Sequence, residues 1–417
     1  MGPLAGMRVI DLTHVMAGPT CTLMLADMGA EVIKIEKVPQ GDDTRHTPPS
    51  IGDETASFLM MNRNKRGMAL DLKKPSGAKV LRRLLESADV LVENFGPGVM
   101  ERLGFGYGDL HAKHPALIYC SLSGFGRTGP YKDRRGFDLV AQAMSGIMSF
   151  TGEGPGRPPV KCGAPLSDIT AGILAAMGIL AAYTHRLKTG EGQWVETSLY
   201  EAALVQTYWQ SAIALATGVA PQAMGSAHPL NAPYQAFEAA DGWIVVGGAN
   251  QKNWQRITEA IGAPELVDDP RFLNSAARMA HLKELEGELA ARFCTKPSAY
   301  WLQLLEQQGV PCGPVRDMLQ ALADPQTIAR EMVVEVPHTK LGRVKTLGIP
   351  VKFSATPAKI RGGAPVYGEH SHEILSEYGF SADEIVSFEE EGALVSADTK
   401  GLAVRNRVKQ PPRTALP

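Results

Sequence analysis

The chain has 417 residues, 44% of them hydrophobic and 21% charged, with a formal net charge of −2 at pH 7. This composition indicates a globular protein of two or three domains, and the near-neutral charge gives no reason to expect nucleic acid or an anionic membrane as partner. We expect no signal peptide and no transmembrane helix, and five scattered cysteines indicate reduced thiols in a cytoplasmic protein.

Strand and helix patterns alternate along the first 200 residues. Short apolar runs predict strands at 7–14, 30–37, 68–72, 89–95 and 117–126. Helical patterns lie between them, one ending at Gly29 and one covering 75–88. This rhythm predicts an α/β fold with an open parallel sheet, and it places the ligand at the carboxyl ends of the strands.

The second half begins with a helix predicted over 169–187, whose apolar residues on most faces indicate a buried helix. A strand at 193–199 and a helix over 201–218 follow, and then a hairpin that turns at Asp241-Gly242. We predict a large Rossmann-like domain and a smaller α+β domain, divided as 1–224 (large), 225–320 (small), 321–395 (return to the large domain) and 396–417 (tail). The basic, proline-containing tail is read as extended or disordered, with a binding arm as the alternative.

One acidic residue, Asp168, stands between a small-residue turn and the long apolar helix. Asp often caps a helix by accepting hydrogen bonds from the first backbone N–H groups, which is the simplest interpretation. The alternative is that this carboxylate takes part in chemistry. Nearby Cys162 is interpreted as a small buried side chain rather than as a nucleophile.

The turn His14–Pro19 follows the first strand and opens a helix, whose N-terminal N–H groups are suited to phosphate. It lacks the GxGxxG fingerprint, so a dinucleotide site is not supported. Phe95 and Arg102 follow another strand, where a ring could stack on a purine and a guanidinium could bind phosphate. The basic residues around 62–74 form either a solvated face or a phosphate site: Arg63, Lys65, Arg66, Lys73 and Lys74. Coenzyme A carries both an adenine and several phosphates, and it fits this pattern.

Several segments carry a resemblance that covers about residues 3–395. They read DLTHVMAGPTCTLMLADMGAEVIKIEK, NRNKRGMALDLKKPSG, DVLVENFGPGVMERLGFGY, RRGFDLVAQAMSG, APLSDITAGILAAMGILAAYTHRLKTGEGQWVETSLYEAAL and HPLNAPYQAF. In this order they resemble the class III coenzyme A transferase family, which includes formyl-CoA and carnitine CoA-transferases and the related 2-methylacyl-CoA racemases.

The resemblance implies roles for individual residues. The catalytic aspartate of the family falls on Asp168. The coenzyme A contacts fall on His14, Met16, Ala17, Lys37, Leu70, Lys73, Asn94, Phe95, Gly96 and Arg102, with Arg135 where members usually carry a basic residue. The resemblance also implies an interlocked homodimer, CoA thioesters as substrates, no permanently bound cofactor and no metal.

The same family fold supports two chemistries, transfer and racemisation. Racemases of the family pair the aspartate with the His of a GHD motif, and the matching stretch here is Gly136-Phe137-Asp138. Because phenylalanine cannot carry a proton, the pattern favours transfer over two-base racemisation. A non-catalytic CoA-binding protein is the third reading.

The family mechanism implies that Asp168 attacks the donor thioester and passes through an anhydride to an aspartyl-CoA thioester. We expect the adjacent helix start to favour the ionised carboxylate. Transferases of the family close a glycine-rich loop over the intermediate, and the nearest candidate is 224–233. There Gly225 and His228 are candidate acyl-pocket residues, although His228 is equally interpreted as a loop-packing histidine.

The acyl group is less clearly indicated than the reaction. The loop 224–233 lacks the run of consecutive glycines of formyl-CoA transferases, which argues against formyl-CoA. Residues 41–49 resemble members that use dicarboxylic acids with succinyl-CoA as donor. A second carboxylate would need a cation, and Arg45, His46 or Arg63 are the candidates.

Overall fold

The computed structural model describes residues 1–397, and the fold is given for this range. The strands are β1 (Arg8–Asp11), β2 (Glu31–Glu36), β3 (Ser50–Ile51), β4 (Glu54–Thr55), β5 (Arg66–Leu70), β6 (Val90–Glu93), β7 (Ile118–Ser123), β8 (Trp194–Ser198), β9 (Tyr234–Ala239), β10 (Gly242–Gly247), β11 (Cys312–Pro314), β12 (Val333–His338), β13 (Gly342–Leu347) and β14 (Leu394–Val395).

The helices alternate with the strands in the first half and cluster in the second. They are α1 (Ala17–Asp27), α2 (Ala56–Met61), α3 (Pro75–Leu85), α4 (Val99–Arg102), α5 (Tyr107–Lys113), α6 (Asp138–Met144), α7 (Ile147–Phe150), α8 (Leu166–Thr189), α9 (Leu199–Val205), α10 (Tyr208–Thr217), α11 (Gln251–Ala260), α12 (Ser275–Ala280), α13 (Leu282–Phe293), α14 (Ser298–Gln307), α15 (Met318–Ala323), α16 (Pro325–Ala329), α17 (Ser371–Glu377) and α18 (Ala382–Glu390).

The main sheet has seven strands in the order β14-β5-β2-β1-β6-β7-β8. The six strands from β5 to β8 are parallel, and only the edge strand β14 runs antiparallel. In the centre, Val9 of β1 lies between Val32 of β2 and Val90 of β6. The predicted open parallel sheet and its α/β class are confirmed, because strands buried on both faces read in sequence as continuous apolar runs.

Helices cover both faces of this sheet. On one face, Val80, Leu81 and Leu84 of α3 share a buried core with Ile374 of α17 and Phe388 of α18. On the other face, α1 packs against α8. The closest approach of α1 and α8 is at Gly172, where a Cβ would lie 2.6 Å from the carbonyl oxygen of Ala17. The start of α8 therefore lies against the start of α1.

The chain divides into two compact units. The first contains Met1–Ser145, Gly163–Gln206 and the described residues from Pro325 onward, and it holds the main sheet. The second contains Gly146–Cys162 and Thr207–Asp324.

The second unit has the antiparallel sheet β11-β10-β9 and a core around Trp254, Phe272 and Phe293. The hairpin β9–β10 confirms the predicted one at Asp241-Gly242. The domain limits given from the sequence stay predictions, and the tail 398–417 lies outside the described residues.

Two helix predictions need correction. The pattern over 201–218 forms two helices, α9 and α10, because the backbone leaves the helical path at Gln206 and Thr207. Gln206 instead donates from its side-chain amide to the Thr170 hydroxyl at 2.6 Å.

The long helix α8 is buried on one face only. Its small residues Ala171, Gly172, Ala175 and Ala176 face the interior together with Ile179, while four large apolar residues are exposed: Ile169, Ile173, Met177 and Leu187. By length and composition alone α8 could cross a membrane, a test that core helices of soluble proteins also pass. The prediction of burial on most faces was wrong, because apolar composition does not tell which face a neighbouring element covers.

Gly172→Ala tests the close approach of α8 and α1. Alanine favours a helix over glycine, but the new methyl group would overlap Ala17 and Thr20, so we expect unfolding free energy to fall by about 2 kcal/mol in urea titrations. The matched control is Gly287→Ala in α13, where a Cβ meets nothing within 4 Å and stability should rise by about 1 kcal/mol. Equal changes at both positions would contradict the close approach.

Candidate active site

The residues matched to coenzyme A contacts lie at one edge of the main sheet. All but Arg135 follow four neighbouring parallel strands, β5, β2, β1 and β6, at the carboxyl end of each, and Arg135 lies in the segment between β7 and α6. Leu70 ends β5, Lys37 follows β2, His14 follows β1 and Asn94 follows β6. The topology thus brings together segments that are far apart in sequence, at the edge where open α/β sheets bind ligands.

The turn between β1 and α1 is bound to the turn after β6. The Asn94 side chain accepts a hydrogen bond from the His14 backbone N–H at 2.9 Å and donates one to the His14 carbonyl at 2.8 Å. Val15 in this turn has φ +67°, a left-handed conformation that is rare for a β-branched residue. The amide of Asn94 therefore fixes the turn, and it has a structural task whatever else it contacts.

The peptide groups of Phe95 are held in a similar way. Glu93 accepts a hydrogen bond from the Phe95 N–H at 2.8 Å, and Arg127 donates to the Phe95 carbonyl at 3.2 Å and to Glu93 at 2.7 Å. Burial raises the pKa of Glu93 to about 7, although Arg127 opposes the shift. The Phe95 ring lies 5.4 Å from the His14 ring, centroid to centroid. These contacts fix the Asn94–Gly96 turn. The sequence patterns did not reveal the contacts.

Cationic side chains surround this edge. Lys37, Lys73, Arg102 and Arg135 are exposed, and Lys37 forms an ion pair with Asp43. Exposed cations of this kind suit phosphate groups of a ligand that lies across the edge.

Other cations that the sequence suggested for anion binding are occupied. Arg63 forms a buried ion pair with Asp27 at 2.6 Å, and Lys65 forms one with Asp11 at 3.1 Å. Burial lowers the pKa of Lys65 to about 8, although Asp11 opposes the shift. Residues 62–74 are interpreted from the sequence as either a solvated face or a phosphate site. Both interpretations are wrong for Arg63 and Lys65, because these side chains are neither solvated nor open to a ligand. A sequence pattern shows charge but not which carboxylate faces it.

Asp168 is the third residue of α8 and does not cap it. The N-cap residue is Pro165, and the Ser167 N–H donates to the carboxylate of Asp138 at 2.9 Å. Within residues 1–397, the Asp168 carboxylate has no hydrogen-bond or ion-pair partner, and it is half-buried. The capping interpretation was therefore wrong for Asp168, and Asp138 performs that task from the start of α6.

The expectation that the helix start acidifies Asp168 was also wrong. Burial raises its pKa, and the neighbouring carboxylate of Asp138 raises it further, to about 6. Desolvation and a like charge outweigh the helix dipole here. Sequence reasoning did not assign a role to Asp138, although its place directly after Phe137 in the stretch matched to the GHD motif was a usable signal. Phe137 itself is largely exposed.

The second unit carries the predicted acyl-pocket residues. Gly225 is exposed at φ +62° and donates its N–H to the Gly152 carbonyl at 2.9 Å. His228 accepts the Leu230 N–H at 3.1 Å, and its ring packs between those of Trp209 and Tyr234. These are the contacts of a histidine that shapes its loop, and its role toward a substrate stays a prediction.

Comparison with known proteins supplies the family. The sequence model of CoA-transferase family III matches residues 4–371. The chain belongs to CoA-transferase family III. It is 40% identical to the acetyl-CoA:oxalate CoA-transferase of Acetobacter aceti, over 90% of this chain and 96% of that one. It is 37% identical to the succinyl-CoA:glutarate CoA-transferase of Homo sapiens, over 90% of this chain and 86% of that one.

A solved structure supports the same assignment for this CoA-transferase. The crystal structure of a CAIB/BAIF family protein from Brucella suis superposes with a TM-score of 0.81 at 37% identity, over 90% of this chain and 99% of that one. The predicted family and enzyme class are thereby confirmed. In residues 1–397 the CoA-transferase has no cluster of three or more His, Cys, Asp or Glu side chains arranged to hold a metal ion.

The raised pKa of Asp168 predicts an acid limb in the activity of the CoA-transferase. If the ionised carboxylate reacts, kcat/KM falls about tenfold per pH unit below pH about 6, since the free enzyme's essential base controls that profile. Asp138→Asn removes the like charge and should move the limb to lower pH. Glu191→Gln, an equal charge change just beyond the far end of α8, should leave the limb in place, and a shift with both variants would contradict the assignment.

Proposed function

We propose that this CoA-transferase moves coenzyme A from an acyl-CoA donor to a carboxylic acid acceptor, with Asp168 as the nucleophile. The observation that carries the proposal is the Asp168 carboxylate, half-buried and partnerless within the described residues, in the first turn of a helix that packs against α1 beside the 14–17 turn. A carboxylate with a pKa of about 6 is mostly ionised at neutral pH and more nucleophilic than an ordinary aspartate.

The reaction proceeds through exchange at two carbonyls, that of the donor acyl group and that of Asp168. An Asp168 oxygen attacks the donor thioester, the C–S bond breaks, and a mixed anhydride and CoA thiolate form. The thiolate then attacks the Asp168 carbonyl of the anhydride, which releases the donor acid and leaves an aspartyl-CoA thioester. The acceptor carboxylate attacks that thioester, and the same two steps in reverse give the new acyl-CoA and free Asp168. Backbone N–H groups at the start of α8 can stabilise the negative charge that develops on the carbonyl oxygen.

Coenzyme A lies, in this proposal, across the carboxyl edge of the sheet. The fixed turns His14–Ala17 and Asn94–Gly96 contact the pantetheine part, and Lys37, Lys73, Arg102 and Arg135 provide positive charge for the phosphates. The support is topological, because β5, β2, β1 and β6 bring all of these residues except Arg135 to one edge.

The acceptor we propose is a dicarboxylic acid, with succinyl-CoA as a candidate donor. The relatives compared above are named for glutarate and oxalate, which are both dicarboxylates. Of the cations considered for the second carboxylate, Arg45 and Arg63 already bind Glu36 and Asp27. His46 is exposed, and its Nε2 lies 2.8 Å from the Gln40 carbonyl oxygen.

We propose further that the enzyme acts as a cytoplasmic homodimer, interlocked as in its family. An apolar patch supports a second copy of the chain as partner. Exposed side chains of the neighbouring helices α6, α8 and α9 form it: Leu139, Val140, Met144, Ile169, Ile173, Met177 and Leu204. Apolar side chains exposed together on helices that pack against one another are typical of an interface.

Trapping tests the nucleophile. Incubation with succinyl-CoA followed by hydroxylamine or borohydride should modify the peptide that contains Asp168, detected by mass spectrometry. Asp168→Ala should lose the adduct and at least about 10³-fold in kcat, since it lacks the attacking group.

The matched control for trapping is Glu191→Gln, which should form the adduct as the parent enzyme does. An adduct on a residue other than Asp168, or none with a panel of acyl-CoA donors, would count against the mechanism. Solvent deuterium at the α-carbon without an acceptor acid would favour racemisation instead.

Light scattering tests the dimer. The parent protein should elute with about twice the chain mass of 44.8 kDa, and Ile173→Lys should reduce the fraction of dimer recovered after unfolding and refolding. Interlocked chains cannot separate while folded, and a charge in the apolar patch opposes their assembly. Val386→Lys, on the exposed face of α18, is the control and should stay dimeric. A monomeric parent protein would refute the proposal.

A further inference from the structure

The turn between β1 and α1 needs a support that Asn94 does not supply. Val15 takes a left-handed backbone conformation at φ +67°, and its side chain is exposed, so no packing of that side chain explains the conformation. Asn94 binds only the neighbouring peptide groups of His14. The N–H of Val15 itself donates to the Asp42 carboxylate at 3.1 Å.

Asp42 is fixed in place by several contacts. Its side chain and that of Lys34 are both fully buried, and their charged atoms lie 2.9 Å apart. The oxygen of Asp42 that accepts from Val15 also accepts from the N–H and the hydroxyl of Thr44, and the Asp42 backbone N–H donates to Glu36 at 2.9 Å. The carboxylate therefore cannot turn away from Val15 without breaking buried hydrogen bonds.

The support extends one layer deeper. Glu36 is held by Arg45 through two hydrogen bonds, of 2.6 and 2.7 Å, and the guanidinium of Arg45 lies 3.6 Å from the centre of the Phe58 ring. The chain of contacts runs from Phe58 through Arg45 and Glu36 to Asp42 and ends at Val15. None of these side chains is matched to a coenzyme A contact.

We propose that Asp42 is a positioning residue for acyl-CoA binding: fixed by Lys34, it holds Val15 in the left-handed conformation and so gives the turn His14–Ala17 its ligand-binding shape. The inference rests on the proposed function, in which this turn contacts coenzyme A. Asp42 acts through the turn, so its loss should weaken binding of the CoA part and leave the chemistry at Asp168 largely intact.

Substitution at Asp42 tests the inference through two readouts, the KM for acyl-CoA and the Kd for free coenzyme A by calorimetry. Asp42→Ala should raise both about tenfold, equivalent to about 1.4 kcal/mol, with kcat within about twofold of the parent. Asp42→Asn keeps one accepting oxygen for Val15 but turns its amide N–H₂ toward the Lys34 ammonium, so both values should lie between those of the parent and Asp42→Ala.

Rescue separates positioning from general stability. Glycine adopts the left-handed conformation without strain, so adding Val15→Gly to Asp42→Ala should return the Kd to within about threefold of the Val15→Gly single variant. The control is Asp27→Asn, which disrupts another buried ion pair and should lower stability while leaving the Kd unchanged. If Asp42→Ala does not fold, the double variant Lys34→Met, Asp42→Leu replaces the ion pair by apolar groups, lacks the acceptor, and should show the same rise in Kd.

The outcomes distinguish this inference from the proposed function. A parent enzyme that transfers CoA, with an Asp42 variant whose Kd changes no more than that of Asp27→Asn, would overturn the role of Asp42 alone. Failure of Val15→Gly to restore the Kd would also overturn it. An enzyme that transfers no CoA from any donor would refute the proposed function, while the calorimetric comparison would still report on the turn.

Discussion

Hydrogen bonds between side chains and the peptide groups of one turn are the constraint on which the candidate site depends. A parallel sheet brings the ends of β1, β2 and β6 to one edge, but it does not determine how the chain leaves each strand. The turn after β1 includes Val15 in a conformation that costs about 1–3 kcal/mol. Asn94 and Asp42 bind successive peptide groups of this turn and offset that cost. The residues that keep the ligand-facing turn in shape thus come from the neighbouring strands' own loops.

The buried ion pairs behind this edge contribute more to fixing the positions of the loops than to the free energy of unfolding. Lys34–Asp42, Lys65–Asp11 and Arg63–Asp27 lie almost entirely out of water, where the cost of desolvation offsets much of the attraction between the charges. Lys65–Asp11 and Arg63–Asp27, however, join segments 54 and 36 residues apart, and Lys34–Asp42 links β2 to the loop that follows it. The buried cations thereby shape the loops of the candidate site, whereas the exposed cations proposed for phosphate groups lie at the surface, where Lys37 forms an ion pair with Asp43.

Sequence patterns predicted the strands and the class of fold, because strands that are buried on both faces read as apolar runs between helical patterns. They also placed Asp168 at a helix start. They did not predict the break after Val205, since the residues there are ordinary in a helix and the interruption coincides with a contact between Gln206 and Thr170. Nor did they predict which face of α8 is exposed, because apolar residues lie on most of its faces and the pattern does not show which face a neighbouring element covers. What patterns lack in each case is the identity of the spatial neighbour.

The carboxylates of Asp138 and Asp168 lie at the starts of α6 and α8. They show that the acidity of a candidate catalytic group also depends on a spatial neighbour that sequence patterns do not identify. A helix start alone favours an ionised aspartate, which would make Asp168 a weak nucleophile with a low pKa. Asp138 occupies the N–H group of Ser167 and adds its own negative charge, so that Asp168 is left half-buried beside a like charge and its pKa rises to about 6. At neutral pH such a group is still mostly ionised, so the carboxylate can attack, and it is more basic than an ordinary aspartate. In the proposed mechanism Asp138 caps the start of α8 and leaves Asp168 without a partner among the described residues. Asp138 belongs to the same stretch whose phenylalanine argues against two-base racemisation.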